Sequence, residues 1–224
     1  MSNLYIPGDL MQTKVVLFDL DNTLIDRQRI FKEMLMRKIG EYHTSISKEE
    51  LENIVDEIIV WDNNGNQHRL VTFQQYIDKY NVDVTAEELN VYWNDHSGKI
   101  IYVFDDALDT LQYLKTKYKL GIVSNGNTVS QRRKIRQLPF LDMFDYTLVS
   151  GEIGIHKPEI GIFNKVCEEM KVLPQECVFV GDNYRCDIEG SYHAGMKPVW
   201  INKEKVQSEI CTCICNLSEL KQLL

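Results

Sequence analysis

Asp19-Leu20-Asp21 places two carboxylates one residue apart at the end of the apolar run Lys14-Val15-Val16-Leu17-Phe18. Such a run reads as a buried strand, and acids where it opens into a loop serve no packing purpose. Two like charges about 4 Å apart repel by roughly 4 kcal/mol at an effective dielectric near 20, so the pair calls for a cation or a shared proton. The chemistry within its reach is cation binding, nucleophilic attack by one carboxylate and proton transfer by the other.

Three more apolar runs break off into polar side chains. Leu120-Gly121-Ile122-Val123 leads into Ser124-Asn125-Gly126, a loop precedes Ile155-His156-Lys157-Pro158, and Val178-Phe179-Val180-Gly181 leads into Asp182. In an open α/β sheet, ligands sit outside the carboxyl ends of the parallel strands, so these residues can converge on one crevice.

Taken together, Asp19-x-Asp21, Ser124, Lys157 and Gly181-Asp182-Asn183-Tyr184-Arg185-Cys186-Asp187 resemble the four motifs of the haloacid dehalogenase-like (HAD) hydrolases. Order, spacing and strand context agree over residues 14 to 201. The resemblance implies an α/β fold: a Rossmann-like, mostly parallel sheet core with a helical cap domain inserted after the first strand. The expected division is a core of residues 1–26 and 100–224 and a cap of residues 27–99.

Motif position assigns the nucleophile to Asp19, which would form an aspartyl-phosphate and split one displacement into two easier steps. A magnesium ion (Mg2+) suits the carboxylate-lined site, with Asp19 and Asp182 as ligands. The resemblance implies that Asp21 binds this metal through its backbone carbonyl, leaving its side chain free to protonate the leaving alkoxide and then deprotonate water. Ser124 can donate its hydroxyl to a phosphate oxygen, and the backbone N–H of Asn125 or its neighbours can reach another. Lys157 would balance the phosphate charge and hold the nucleophile ionised. Asp187 reads as support for the metal site. Asp21 also favours phosphate over halide, because the dehalogenase branch lacks an acid there.

The expected activity is a magnesium-dependent phosphatase acting on a small phosphorylated metabolite, of nucleoside monophosphate or sugar phosphate type. A phosphomutase would share every residue named. A phospho-receiver domain fits less well, since its acids are adjacent and its domain is short and uncapped. A catalytically lost binding protein conflicts with the complete motif set.

The elements that must position these residues are legible in the periodicity. Residues 28 to 93 read as helices without strands. Ile30, Phe31, Met34, Leu35 and Lys38 mark the first, ended by Gly40, and Ser47 with Glu50 opens a second that carries Leu51, Ile54, Val55, Ile58 and Ile59. Asp62-Asn63-Asn64-Gly65 is a turn; Thr72 with Gln75 and Thr85 with Glu88 read as two further helix starts. Strand and helix alternate again from Ala107, with helices at Ser130–Gln137 and from Pro158, and strands at Tyr146–Val149, Val178 and Pro198–Ile201. Trp61, Tyr92, Trp93 and His96 are candidate substrate contacts, although aromatics at helical spacing are more often core.

The chain has 224 residues, 44% hydrophobic and 26% charged, with a net charge of −8, which is ordinary for a folded globular protein. The negative balance argues against a nucleic-acid surface, and Gln131-Arg132-Arg133-Lys134-Ile135-Arg136 reads as a solvated helix face. No apolar run approaches the roughly 20 residues that span a bilayer, and Met1 to Leu10 lacks the pattern of a secretory signal, so the expectation is a cytoplasmic protein without membrane contact. A monomer or weak homodimer is expected. Six cysteines do not make a secreted framework; Cys186 reads as a tolerated small residue, and alternating Cys211, Cys213 and Cys215 as one face of a last strand.

Overall fold

The computed structural model describes residues 13–204 and 206–224; the reading of Met1 to Leu10 falls outside them. The chain divides into two compact units, Asp26–Tyr102 and the chain on either side of it.

The flanking unit is built on a sheet of six strands: β1 (Val15–Phe18), β2 (Lys119–Ser124), β3 (Tyr146–Val149), β4 (Cys177–Gly181), β5 (Lys197–Ile201) and β6 (Thr212–Ile214). Their order is β3-β2-β1-β4-β5-β6, and every pairing is parallel. The continuous apolar strands follow from this arrangement, since a parallel strand covered on both faces has no solvent side; Val15, Val16, Leu17 and Phe18 are all fully buried. β1 lies between β2 and β4, with Phe18 level with Ile122 on one side and Val180 on the other. The strand order reverses across β1 and β4, and that reversal opens a crevice at the carboxyl ends.

The other unit is four helices: α1 (Arg27–Gly40), α2 (Lys48–Asp62), α3 (Arg69–Tyr80) and α4 (Ala86–His96). Ser47 and Thr85 each close a reciprocal capping box, their hydroxyls accepting from Glu50 N and Glu88 N while those carboxylates accept the cap N–H at 2.8 Å. Phe31, Leu35, Val55, Ile58, Phe73, Tyr76 and Leu89 fill its core. α3 begins at Arg69, three residues before the expected Thr72, whose side chain is wholly buried within the helix packing. Trp93 belongs to this core, edge-on to Phe31 at 4.9 Å, and Trp61 packs against it. Tyr92 and His96 stack at 4.1 Å and line a cavity of about 210 Å³ with Arg37 and Lys99.

In the sheet unit α5 (Ala107–Lys115), α6 (Thr128–Arg136), α7 (Ser150–Ile153), α8 (Ile160–Met170), α9 (Gly190–His193) and α10 (Leu220–Leu223) connect and flank the strands. α6 starts two residues before the expected Ser130 because Asn127 caps it, its side-chain oxygen accepting from Val129 N at 2.9 Å. α8 starts at Ile160, so Pro158 precedes the cap residue Glu159 instead of occupying the first turn. Ile162, Phe163, Val166 and Met170 turn inward from α8 onto Val15, Leu17 and Phe179 of the sheet. Cys213 falls within β6, flanked by Cys211 and Cys215, and all three are free. Among the described residues no helix is long and apolar enough to cross a membrane.

Candidate active site

Asp19 is the first residue past β1, and its N–H donates to Val180 O on β4 at 2.9 Å, which continues the sheet bonding one residue beyond the strand. The chain then tightens: Asn22 takes a left-handed conformation at φ 60° and donates its N–H to Ile25 O. This turn places Asp19 and Asp21 at the carboxyl edge of the sheet.

β4 supplies the next acids. Asp182 follows its last residue, and a π-helical turn, Tyr184–Glu189, brings Asp187 back towards the strand end. Asp187 Oδ2 accepts from Asn183 N at 3.0 Å. The close return requires glycine at 181, since a Cβ there would collide with the Asp187 side chain. Carboxylate oxygens of Asp19, Asp182 and Asp187 thus come within 4.8 Å of one another. Asp187 stands inside this cluster, closer in than a supporting residue behind it.

Lys157 answers the concentrated charge. Its ammonium is buried, 2.6 Å from Asp19 Oδ1 and 2.7 Å from Asp187 Oδ1, and it donates to Val123 O at 2.8 Å. The loop that carries it is pinned to β2's end by a reciprocal pair: Asn125 Nδ2 donates to Lys157 O and Lys157 N donates to Asn125 Oδ1, each at 2.9 Å. The Asn125 side chain therefore sets the position of Lys157. Ser124 is buried at the end of β2 and its Oγ accepts from Gln131 Nε2 at 2.6 Å, which leaves the hydroxyl proton to donate.

Electrostatics follow burial. Removal from water pushes the Asp19 carboxyl up to about 7; Lys157 pulls the other way, and Asp187 and Asp21 add to the rise. Lys157 opposes the cost of ionising Asp19 without cancelling it, so charge balance needs more than the lysine. Asp182 is raised by burial first and by the neighbouring Asp19 and Asp187 carboxylates second. Three acids against one ammonium leave room for a divalent cation, and an all-oxygen donor set suits a hard ion such as magnesium.

Asp21 is held from a different element. Its side chain is outside the carboxylate cluster and is held by α6, with Lys134 Nζ donating to both oxygens at 2.8 Å and Gln131 Nε2 donating to Oδ2 at 2.9 Å. The segment Gln131–Arg136 is accordingly no uniform solvated face: Gln131, Lys134 and Ile135 are buried, with Leu138 continuing the stripe. Arg132 does reach outward, to Glu152. The spacing of 131, 134, 135 and 138 is a helical face, and it was the available signal; the surrounding positive charge masked it.

The model of the haloacid dehalogenase-like hydrolases matches residues 16–201. The chain belongs to that family. It is 29% identical to the glyceraldehyde 3-phosphate phosphatase of Methanothermobacter thermautotrophicus, over 94% of this chain and 99% of the relative. It is 32% identical to the N-acylneuraminate-9-phosphatase of Mus musculus, over 87% of this chain and 84% of the relative. A HAD phosphatase from Thermococcus onnurineus is similar in structure, with a TM-score of 0.62 at 30% identity over 94% of this chain and 97% of that one. This HAD hydrolase stands among the family's phosphatases.

Proposed function

We propose that this HAD hydrolase is a magnesium-dependent phosphatase that hydrolyses a small phosphorylated metabolite of the sugar phosphate type through an aspartyl-phosphate on Asp19. The observation that carries the reading is the convergence of Asp19, Asp182 and Asp187 around the buried ammonium of Lys157. Relatives acting on glyceraldehyde 3-phosphate and on N-acylneuraminate 9-phosphate favour a sugar phosphate over a nucleoside monophosphate.

Asp19 and Asp182 would hold the metal, with the Asp21 carbonyl as a further oxygen and Asp187 beside them. Bound there, magnesium supplies positive charge shared between the nucleophile and the phosphate. Ser124 donates to one phosphate oxygen, and Lys157 offsets charge on the phosphoryl group. Asp19 attacks phosphorus as the ester oxygen departs with a proton from Asp21. Water then attacks the same phosphorus, Asp21 takes its proton, and Asp19 is released with inorganic phosphate.

The test is phosphate release from a panel of sugar phosphates and nucleoside monophosphates, with magnesium and with chelator, for wild type and Asp19→Asn. Release that needs magnesium and is absent from the variant supports the reading; turnover in Asp19→Asn defeats the covalent route.

A further inference from the structure

Two side chains of α6 meet at Asp21. Lys134 is 5% exposed and grips both carboxylate oxygens; Gln131 is 3% exposed and takes the second oxygen as well. The same amide nitrogen of Gln131 reaches Ser124 Oγ at 2.6 Å and Asn125 O at 3.1 Å. Burying an ammonium and an amide is costly, and a tie between a loop and a helix can be made at the surface without that cost. What the buried arrangement adds is orientation. A carboxylate held at both oxygens has a fixed plane, and Gln131 ties that plane to the hydroxyl assigned to the phosphate.

We propose that Lys134 and Gln131 are positioning residues for Asp21, aiming its carboxyl at the leaving oxygen in the first half-reaction and at the attacking water in the second. The inference rests on the phosphatase reading above. In the first half-reaction the bond from phosphorus to the leaving oxygen breaks as the bond to Asp19 forms, and Asp21, which must enter this step protonated, gives its proton to that oxygen and becomes the carboxylate that Lys134 holds. In the second, the water oxygen bonds phosphorus, Asp21 recovers a proton from it, and the bond to Asp19 breaks. Both transfers need the carboxyl within hydrogen-bond reach of a moving oxygen, a requirement lost when the side chain swings free.

The experiment compares wild type, Lys134→Met, Lys134→Arg and Gln131→Leu on an alkyl phosphate and an aryl phosphate, with intact-mass detection of phosphoenzyme. An aryl oxide leaves readily without a proton, whereas an alkoxide does not, so misaimed Asp21 penalises the alkyl ester. We expect Lys134→Met to lose at least about tenfold more kcat on the alkyl than on the aryl phosphate. KM should change little, a phosphate adduct should accumulate with the aryl substrate, and Lys134→Arg should recover part of the loss. Gln131→Leu should show the same pattern to a smaller degree, and it decides the matter if Lys134→Met does not fold. Equal losses on both esters without adduct, or wild-type rates in both Lys134→Met and Gln131→Leu, would overturn the assignment. If the wild type itself hydrolyses neither ester, the phosphatase reading fails first and takes this inference with it.

Discussion

Lys157 and Asp19 are joined at 2.6 Å across 138 positions of sequence, and the same ammonium is 2.7 Å from Asp187. One buried cation therefore serves two acids of a three-acid cluster. Replacing it by Met keeps much of the side-chain volume and strands the carboxylates. Removing one partner of a buried pair costs about 3–5 kcal/mol, so Lys157→Met should lose stability on that order in metal-free urea unfolding, along with phosphate release. Added magnesium should return part of the loss, because it supplies the missing charge. A loss indifferent to magnesium would mean that the lysine serves packing alone.

Asp19→Asn removes a group whose ionisation burial opposes. The folded protein holds the Asp19 proton up to about pH 7, against an ordinary value of 3.8. Over that interval the unfolded chain has released a proton that the folded chain retains, so wild-type stability falls as pH rises, then levels off above it. The slope from this one group reaches about 1.4 kcal/mol per pH unit. Metal-free Asp19→Asn should therefore gain on wild type between about pH 4 and about pH 7 in urea titrations. A difference independent of pH would show that Asp19 titrates normally.

Much of this site was legible because its chemistry contradicts its surroundings. Asp19 and Asp182 directly follow strands that are otherwise apolar, with Asp21 two residues beyond Asp19, and no packing argument places them there. The strands themselves were readable for a related reason: burial on both faces leaves uninterrupted runs such as Val15–Phe18. Gln131 and Lys134 were hidden because their types match an exposed helix, and only the inward partner Asp21 gives them a purpose. The start of α3 was misplaced because Thr72 resembles a cap, whereas its side chain is consumed by burial in the helical core. Tertiary contacts outweighed local pattern in both cases.

Gly181 tests the return of the chain to the cluster. A Cβ at this position would occupy the space of the Asp187 side chain, so Gly181→Ala must displace that carboxylate from Lys157. We expect at least about a tenfold fall in kcat, because a misplaced charge near the reacting centre costs as much as a distance change of roughly 1 Å. If magnesium binds as proposed, it should stabilise the wild type by about 2.7 kcal/mol at a hundredfold excess over Kd, and that gain should shrink in Gly181→Ala. Unchanged turnover in Gly181→Ala would place Asp187 outside the working site.

The helical unit offers a separate test of buried charge. Asp62 is 1% exposed and lies between two guanidiniums, Arg27 Nη2 at 2.8 Å and Arg69 Nη1 at 2.5 Å. Arg69 also sits over the Trp93 ring at 4.3 Å and Phe31 at 4.7 Å, so its charge is partly met by aromatic faces. Asp62→Asn preserves the shape and withdraws the negative charge that both guanidiniums meet. The two cations then lose the charge that lies between them, at a cost on the order of 3–5 kcal/mol. Urea unfolding of the full chain should show that loss, and the double change Asp62→Asn with Arg27→Met should be milder than Asp62→Asn alone, since it removes the repulsion together with the pair. Additive losses would mean that the two residues stabilise the unit independently.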